Sequence, residues 1–257
     1  MAQSPAEAFS LEGRVAVVTG AGGGLGHGIC DSLAAAGATV IAAGRTESTL
    51  DDTVALVTGN GGNAVARVCD VSDQGEIDTL MESVADEFGR IDILINNAAI
   101  YPRREWTEIT AESWDEVMAT NLKGYFLCAR AAFPYMKAQG SGRIINIASI
   151  TFFGGWPMLL DYVTSKGGIV GFTRALAREI GPDGVTVNSI SPGAFPTDAE
   201  KIHPNQDEYN QNVLDSQSLK RRGTPNDIGN LAVFLSSDGG SFITGQLIQI
   251  DGGWVMH

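Results

Sequence analysis

From Arg14 onward, short runs of β-branched apolar residues alternate with longer stretches whose apolar positions recur every three to four residues. "RVAVVT" at 14–19 leads into a helical segment from Gly24 to Ala36, then "TVIAA" at 39–43 and a second helical segment from Glu47 to Val57. The series continues with "AVARVCDV" at 64–71, a helix from Asp73 to Phe88, "IDILINN" at 91–97 and a long helical region from about Ala111 to Lys137. It closes with "GRIINIAS" at 142–149, a helix carrying "LLDYVTSKGGIVGF", "VTVNSISP" at 185–192 and "QLIQID" at 246–251. Seven strands, apolar on both faces and joined by helices, predict one α/β domain: a doubly wound, seven-stranded parallel sheet with helices on both sides. The least regular stretch, about 195–219, is polar and rich in Asn, Gln and Asp. It reads as a mobile lid, with a passive surface excursion as the alternative. Residues 1–10 are expected to be a flexible leader into the domain over 1–257.

Composition narrows the partners. With 44% hydrophobic and 18% charged residues the chain is an ordinary globular one. A net charge of −13 opposes nucleic-acid backbones and anionic lipid surfaces, so a small molecule is the expected partner. "MAQSPAEAFSLEGR" has neither a basic start nor an apolar core, and no later run reaches the length of a membrane span, which predicts a cytoplasmic protein. Cys30, Cys69 and Cys128 are odd in number and far apart, as are His27, His203 and His257. Reduced, mostly buried thiols are expected, with neither a disulfide framework nor a metal site.

Two features carry chemistry. The first strand runs into "TGAGGGLGHG", where glycines let a backbone approach a pyrophosphate at a helix N-terminus. Gly20, Gly24, Leu25 and Gly26 occupy this Rossmann-type turn in a TGxxxGxG spacing, and a purely structural glycine turn is the rival reading. At the tip of the second strand Gly44 stands where an acid would bind the 2′-hydroxyl of NAD, and Arg45 follows it. That favours NADP(H), with NAD(H) the alternative if Arg45 is only a solvated charge.

The second feature is Tyr162 and Lys166, one helical turn apart and so on one face. The ammonium is expected to lower the phenol's pKa toward a working pH, which makes Tyr162 a candidate general acid or base. Gly167 and Gly168 follow, and close packing against a cofactor or a partner helix is expected there.

Together, TGxxxGxG at 19–26, Asp70 and Val71 after the third strand, "NNAA" at 96–99, "NLKG" at 121–124, Ser149, YxxxK at 162–166 and "SPGAFPT" at 191–197 resemble the short-chain dehydrogenases/reductases, across nearly all of residues 11–253. The resemblance implies hydride transfer between a nicotinamide and a substrate carbon, with Tyr162 as acid/base, Lys166 on the nicotinamide ribose and Ser149 on the substrate oxygen. It implies that Asn121 binds a water linking Lys166 to solvent. It further implies adenine contacts from Asp70 and the Val71 N–H, and Asn97, Ala98 and Ala99 beside the adenosine ribose. Pro192, Gly193 and Thr197 would border the carboxamide, and a homotetramer would form. Two positions depart from the family pattern. Ala99 replaces a usual glycine, and Asp161 precedes the tyrosine where a small residue is usual. Asp161 would either face solvent or raise the tyrosine's pKa by like-charge repulsion.

Tyr101, Thr151, Phe153, Trp156, Leu159 and Phe195 flank these motifs, and Phe152 and Met158 lie among them. Such a set suits a bulky cyclic or aromatic ketone, aldehyde or alcohol. A 3-oxoacyl-thioester reductase and an NAD-linked pyridoxal-type alcohol dehydrogenase are alternatives within the family, since "IASITFFGG" and "KGGIVGFTRALA" resemble the latter. A non-catalytic nucleotide-binding regulator would be expected to lack part of the Ser149, Tyr162, Lys166 set. A serine hydrolase is excluded because Ser149 sits in "IASIT" and not in a GxSxG elbow. The apolar tail "DGGWVMH" is expected to meet a partner or to fold onto its own active-site rim through Trp254.

Overall fold

The computed structural model describes residues 4–197, 200–201, 203 and 205–256. Residues 1–3 of the expected leader, His257 of the tail, and 198, 199, 202 and 204 of the expected lid lie outside the described residues. Seven strands, β1 (Val15–Thr19), β2 (Thr39–Gly44), β3 (Asn63–Val68), β4 (Ile93–Asn96), β5 (Gly142–Ile147), β6 (Val185–Pro192) and β7 (Leu247–Ile250), pair in the order β3-β2-β1-β4-β5-β6-β7. Every pairing is parallel.

Alternation within each strand divides the core. Ala16, Val18, Val40, Ala42, Ile93 and Ile95 face α2 (Leu25–Ala35), α3 (Glu47–Gly59) and α10 (Pro225–Ser236). Val15, Val17, Ile41, Ala43 and Leu94 face α4 (Gln74–Phe88), α6 (Gly124–Gln139) and α8 (Leu160–Ile180). Helices cover both faces, so β1 and the middle of β2 are buried on both sides and read as continuous apolar runs. All three cysteines are buried, and burial pushes the Cys69 thiol up to about 12.

The order of strands reverses direction between β1 and β4, and the carboxyl ends of these two strands open a crevice. The long helical region expected from about 111 to 137 is α5 (Ala111–Met118) and α6 joined by a π turn over Ala119–Lys123. The first ten residues include a short helix, α1 (Pro5–Phe9), closed by a Ser4–Glu7 capping box and laid on α10 through Phe9 and Phe234. In the expected lid, α9 (Gln206–Ser216) is helical and is capped by the Asn205 side chain. Its polar face hides the helical period in the sequence, because Val213 is its buried residue. Among the described residues no helix is long and apolar enough to cross a membrane.

Candidate active site

The crevice holds a cavity of about 450 Å³ that runs from the glycine turn to the tyrosine of α8. Gly20 leaves β1 with φ +62°, and a Cβ there would stand 2.6 Å from the Cα of Ala98. Gly26 begins α2 so close to the turn that a Cβ would collide with the Gly20 carbonyl. Only glycine fits these two positions. Gly24, at φ +55°, is the N-cap of α2 and supplies no side-chain cap, so the positive end of the helix faces the turn. Thr197 lies over Gly24, 3.5 Å from where its Cβ would be, and Leu25 lines the cavity. A dinucleotide's pyrophosphate fits this bare backbone cradle at a helix N-terminus.

The end of β4 locks onto the same turn. The Asn97 side chain donates to the carbonyls of Thr19 (3.1 Å) and Gly20 (2.9 Å), and the N–H groups of Asn97 and Ala98 donate to the Thr19 hydroxyl. Ala98 and Ala99 line the cavity behind it. Asn96 is fully buried and donates to Asn146 across β4 and β5 (2.9 Å), a structural pin. Arg45 and Asp70 sit outside the main cavity, at the tips of β2 and β3. Burial works upward on the Asp70 carboxyl, but hydrogen bonds from the Ser72 N–H and hydroxyl, together with the Arg45 cation, hold it below the usual range. Arg45 is exposed and Val71 is buried.

At the other end, β5 delivers Ser149, the single turn α7 (Thr151–Gly154) follows it, and α8 delivers Tyr162 and Lys166. The Ser149 oxygen accepts from the Thr151 hydroxyl (2.9 Å) and N–H (3.2 Å), which commits both its acceptor sites. Its own proton is left for the Tyr162 phenol, to which it is hydrogen-bonded. Lys166 is 1% exposed and donates to the Ile147 carbonyl (2.7 Å) and the Tyr125 hydroxyl (3.4 Å), with its Nζ 5.6 Å from the Tyr162 ring centre. Burial lowers its pKa to about 7. The Tyr162 phenol is raised, by burial first and against the Ser149 hydrogen bond. The fall expected from Lys166 is therefore corrected: desolvation sets the direction, and Lys166 is not among the groups that shift the phenol. A phenol protonated at neutral pH is a proton donor.

Asn121 is fully buried in the π turn, and its side chain is committed. It accepts from the Ile100 N–H (2.8 Å) and donates to the Ile100 carbonyl (2.9 Å) and the Ser165 hydroxyl (3.2 Å). It fastens the segment after β4 to α8. The side-chain amide therefore has its hydrogen bonds inside the protein, and the π turn is the local adjustment that brings it there. Gly167 and Gly168 pack under Phe152 and Leu122 of the same chain, where a Cβ would come within 3.0 Å and 2.8 Å. Neither a cofactor nor a partner helix is needed to account for them.

The far wall is made of side chains. Tyr101 meets Tyr162 edge-on with ring centres 4.7 Å apart, and Thr151, Leu159 and Phe195 line the cavity beside them. Pro192 and Gly193 continue from β6 into the same lining. Trp156 meets Trp254 edge-on at 5.7 Å. The tail reaches its own rim because the Asp251 carboxylate accepts from the N–H groups of Gly253 and Val255 and turns Trp254 inward. Phe153 stands outside the lining, its ring against Phe152 at 5.0 Å.

Four polar residues of this wall were not anticipated: Arg103, Glu200, His203 and Tyr209. The His203 ring stacks on Tyr209 (3.8 Å between centres), and its Nδ1 lies 3.3 Å from the Arg103 guanidinium. Glu200 pairs with Arg222. They come from segments a hundred positions apart, with no spacing to connect them in sequence. Among the described residues, no group of three or more His, Cys, Asp or Glu converges as metal ligands would.

Residues 20–255 match the family model described as enoyl-(acyl carrier protein) reductase. The chain is 37% identical over 249 residues to a 2-dehydro-3-deoxy-D-gluconate 5-dehydrogenase of Escherichia coli K12, covering 96% of this chain and 98% of that one. It is 36% identical to a 3-oxoacyl-(acyl-carrier-protein) reductase of Thermotoga maritima, over 96% and 99% of the two chains. The solved structure of a gluconate 5-dehydrogenase from Burkholderia cenocepacia, in complex with NADP and tartrate, superposes with a TM-score of 0.92 at 29% identity, over 98% of each chain. This chain belongs to the short-chain dehydrogenases/reductases and is an NAD(P)-dependent oxidoreductase of that family.

Proposed function

We propose that the chain interconverts a carbonyl compound and its alcohol with NADP(H), using Tyr162 as the group that gives or takes the proton at the substrate oxygen. A single observation carries this reading: one cavity joins the glycine cradle to a phenol that is protonated at neutral pH and held by Ser149. The bound nicotinamide would supply or accept the hydride. Gly20, Gly24, Gly26 and the α2 N-terminus would hold the pyrophosphate, Asp70 and Val71 the adenine, and Arg45 a 2′-phosphate. The NADP-bound relative supports the last choice. Ser149 and Tyr162 would meet the charge growing on the substrate oxygen, and Lys166 would restore the phenol's proton.

For the substrate, Trp156, Leu159 and Phe195 offer an apolar face, as a bulky ring requires. Arg103 and His203 offer hydrogen-bond donors at the rim, which favours a ring or chain that also bears a carboxylate. The relatives named for gluconate derivatives, and the tartrate complex, support that acid end. Segment 195–219 reads as the lid over this wall, and exposed Phe126, Leu160 and Phe242 support the homotetramer that the family resemblance implies. The buried, unpaired cysteines suit a cytoplasmic setting.

The test pairs NADPH and NADH titration with turnover of phenylglyoxylate, acetophenone and 5-keto-D-gluconate. NADPH should bind more tightly, and the two carboxylates should outpace acetophenone. Faster acetophenone reduction would remove the acid end from the proposal. Tyr162→Phe should lose about 10²–10⁴-fold in kcat, the usual worth of general acid–base catalysis, with NADPH binding intact. Retained turnover would overturn the role of Tyr162.

A further inference from the structure

We infer that Arg104 and Asp161 form a clamp that positions Tyr162 and Tyr101 against each other, making both positioning residues for the reaction. The inference rests on the proposed role of Tyr162. Asp161 is 0% exposed. One carboxylate oxygen accepts the Tyr162 N–H at 2.8 Å, and the other lies 4.0 Å from the Arg104 Nε with no hydrogen bond among the described residues. Neither sequence expectation for Asp161 holds: it does not face solvent, and its charge is not among the causes that raise the Tyr162 pKa. Its effect on the tyrosine is through position.

Local geometry shows why a clamp is needed. Leu159, the N-cap of α8, offers no side chain to the first turn, so Asp161 supplies the acceptor for Tyr162 from inside the helix. The preceding turn contains Met158 at φ +66°, a left-handed conformation that a long side chain adopts only when its surroundings impose it. The Arg104 N–H donates to the Met158 carbonyl at 3.0 Å. Arg104 thus holds the strained turn by its backbone and the start of α8 by its side chain. Three residues earlier on the same segment, Tyr101 sets its ring edge-on to Tyr162. The clamp therefore joins the wall that receives the substrate to the residue that acts on it.

A buried carboxylate stripped of its countercharge is penalised more than a pair removed together. In phenylglyoxylate reduction with NADPH, Arg104→Met and Asp161→Asn should each cut kcat/KM about tenfold or more, and the double variant should be no worse than the poorer single, the signature of a coupled pair. NADPH affinity should stay within about twofold, since the clamp sits at the tyrosine end of the cavity and the glycine cradle at the other. Arg104→Lys should recover most of the activity, and Asp161→Asn keeps the volume and the acceptor for Tyr162 if Arg104→Met folds poorly. A readout that needs no substrate is 19F resonance of protein labelled with 3-fluorotyrosine, which has five tyrosines to resolve. The Tyr101 and Tyr162 signals should move in the single variants while that of Tyr135 stays fixed. Additive losses, NADPH affinity falling in step with kcat/KM, or unmoved Tyr101 and Tyr162 signals would each overturn the clamp. An active Tyr162→Phe would instead overturn the acid/base reading, so the two failures are distinguishable.

Discussion

The two walls of the cavity are built by opposite means. The wall proposed for the cofactor is backbone: Gly20 and Gly26 leave no room for a Cβ, and Asn97 ties the end of β4 to the same turn through main-chain carbonyls. The wall proposed for the substrate is side chains, gathered from Tyr101 and Arg103, from the segment at 151–159, from Phe195, Glu200, His203 and Tyr209, and from Trp254 in the tail. A backbone wall tolerates little change and is encoded by neighbouring residues. A side-chain wall can vary residue by residue while the fold stays the same, which is how one scaffold serves many substrates.

The sharpest way to break this contrast is Gly26→Ala. The new methyl would meet the Gly20 carbonyl and lie 2.8 Å from the Ala21 Cα, neither of which is a flexible end. Overpacking of about 1–3 kcal/mol should appear as an NADPH affinity weakened about 5- to 150-fold. Fluorescence titration checks it, and an unchanged affinity would mean that the cradle yields and the wall is not rigid backbone. Arg45→Asp comes next. Arg45 is exposed, and on the proposed reading its side chain, not backbone, would set the preference at this edge. Removing a charge-assisted hydrogen bond worth about 1.5–3 kcal/mol should shift the NADPH-to-NADH preference about tenfold or more. An unchanged ratio, measured by the same titration, would place Arg45 in solvent.

The same contrast explains what could be read from sequence. "RVAVVT" contains β1, Val15–Thr19, because a strand buried on both faces leaves a continuous apolar signature ahead of the glycine turn. The glycine turn and the Tyr162–Lys166 pair were legible because both depend on spacing within one turn or one helix. The π turn at Asn121 was not, since its cause is a hydrogen-bonding partner, Ile100, that only the folded chain brings near. Arg103 and His203 were illegible for the same reason. Asp161 was visible as a departure, but its meaning depended on Arg104, 57 positions away in a loop whose path no local pattern specifies.

Lys166 lies on the seam between the walls and gives the most selective effect, a change with pH and not a loss of binding. Burial depresses its pKa from 10.5 to about 7, so the folded state releases a proton that the unfolded chain keeps between those values. Stability rises with pH wherever the unfolded state binds more protons. The cost of burying this ammonium is therefore fully present below pH 7, shrinks as pH rises above 7, and is gone above the unfolded value of 10.5. Lys166→Met removes the titration along with the hydrogen bond to the Ile147 carbonyl, and that bond survives in the neutral amine. Relative to wild type, the variant's Tm should thus be highest at pH 6–7 and fall steadily toward pH 10, at about 2–4 °C per kcal/mol for a chain of this size. Calorimetry across that range checks the slope. A difference in Tm that does not change with pH would mean that Lys166 keeps its charge on folding, and the protonated phenol of Tyr162 would then stand beside a full ammonium after all.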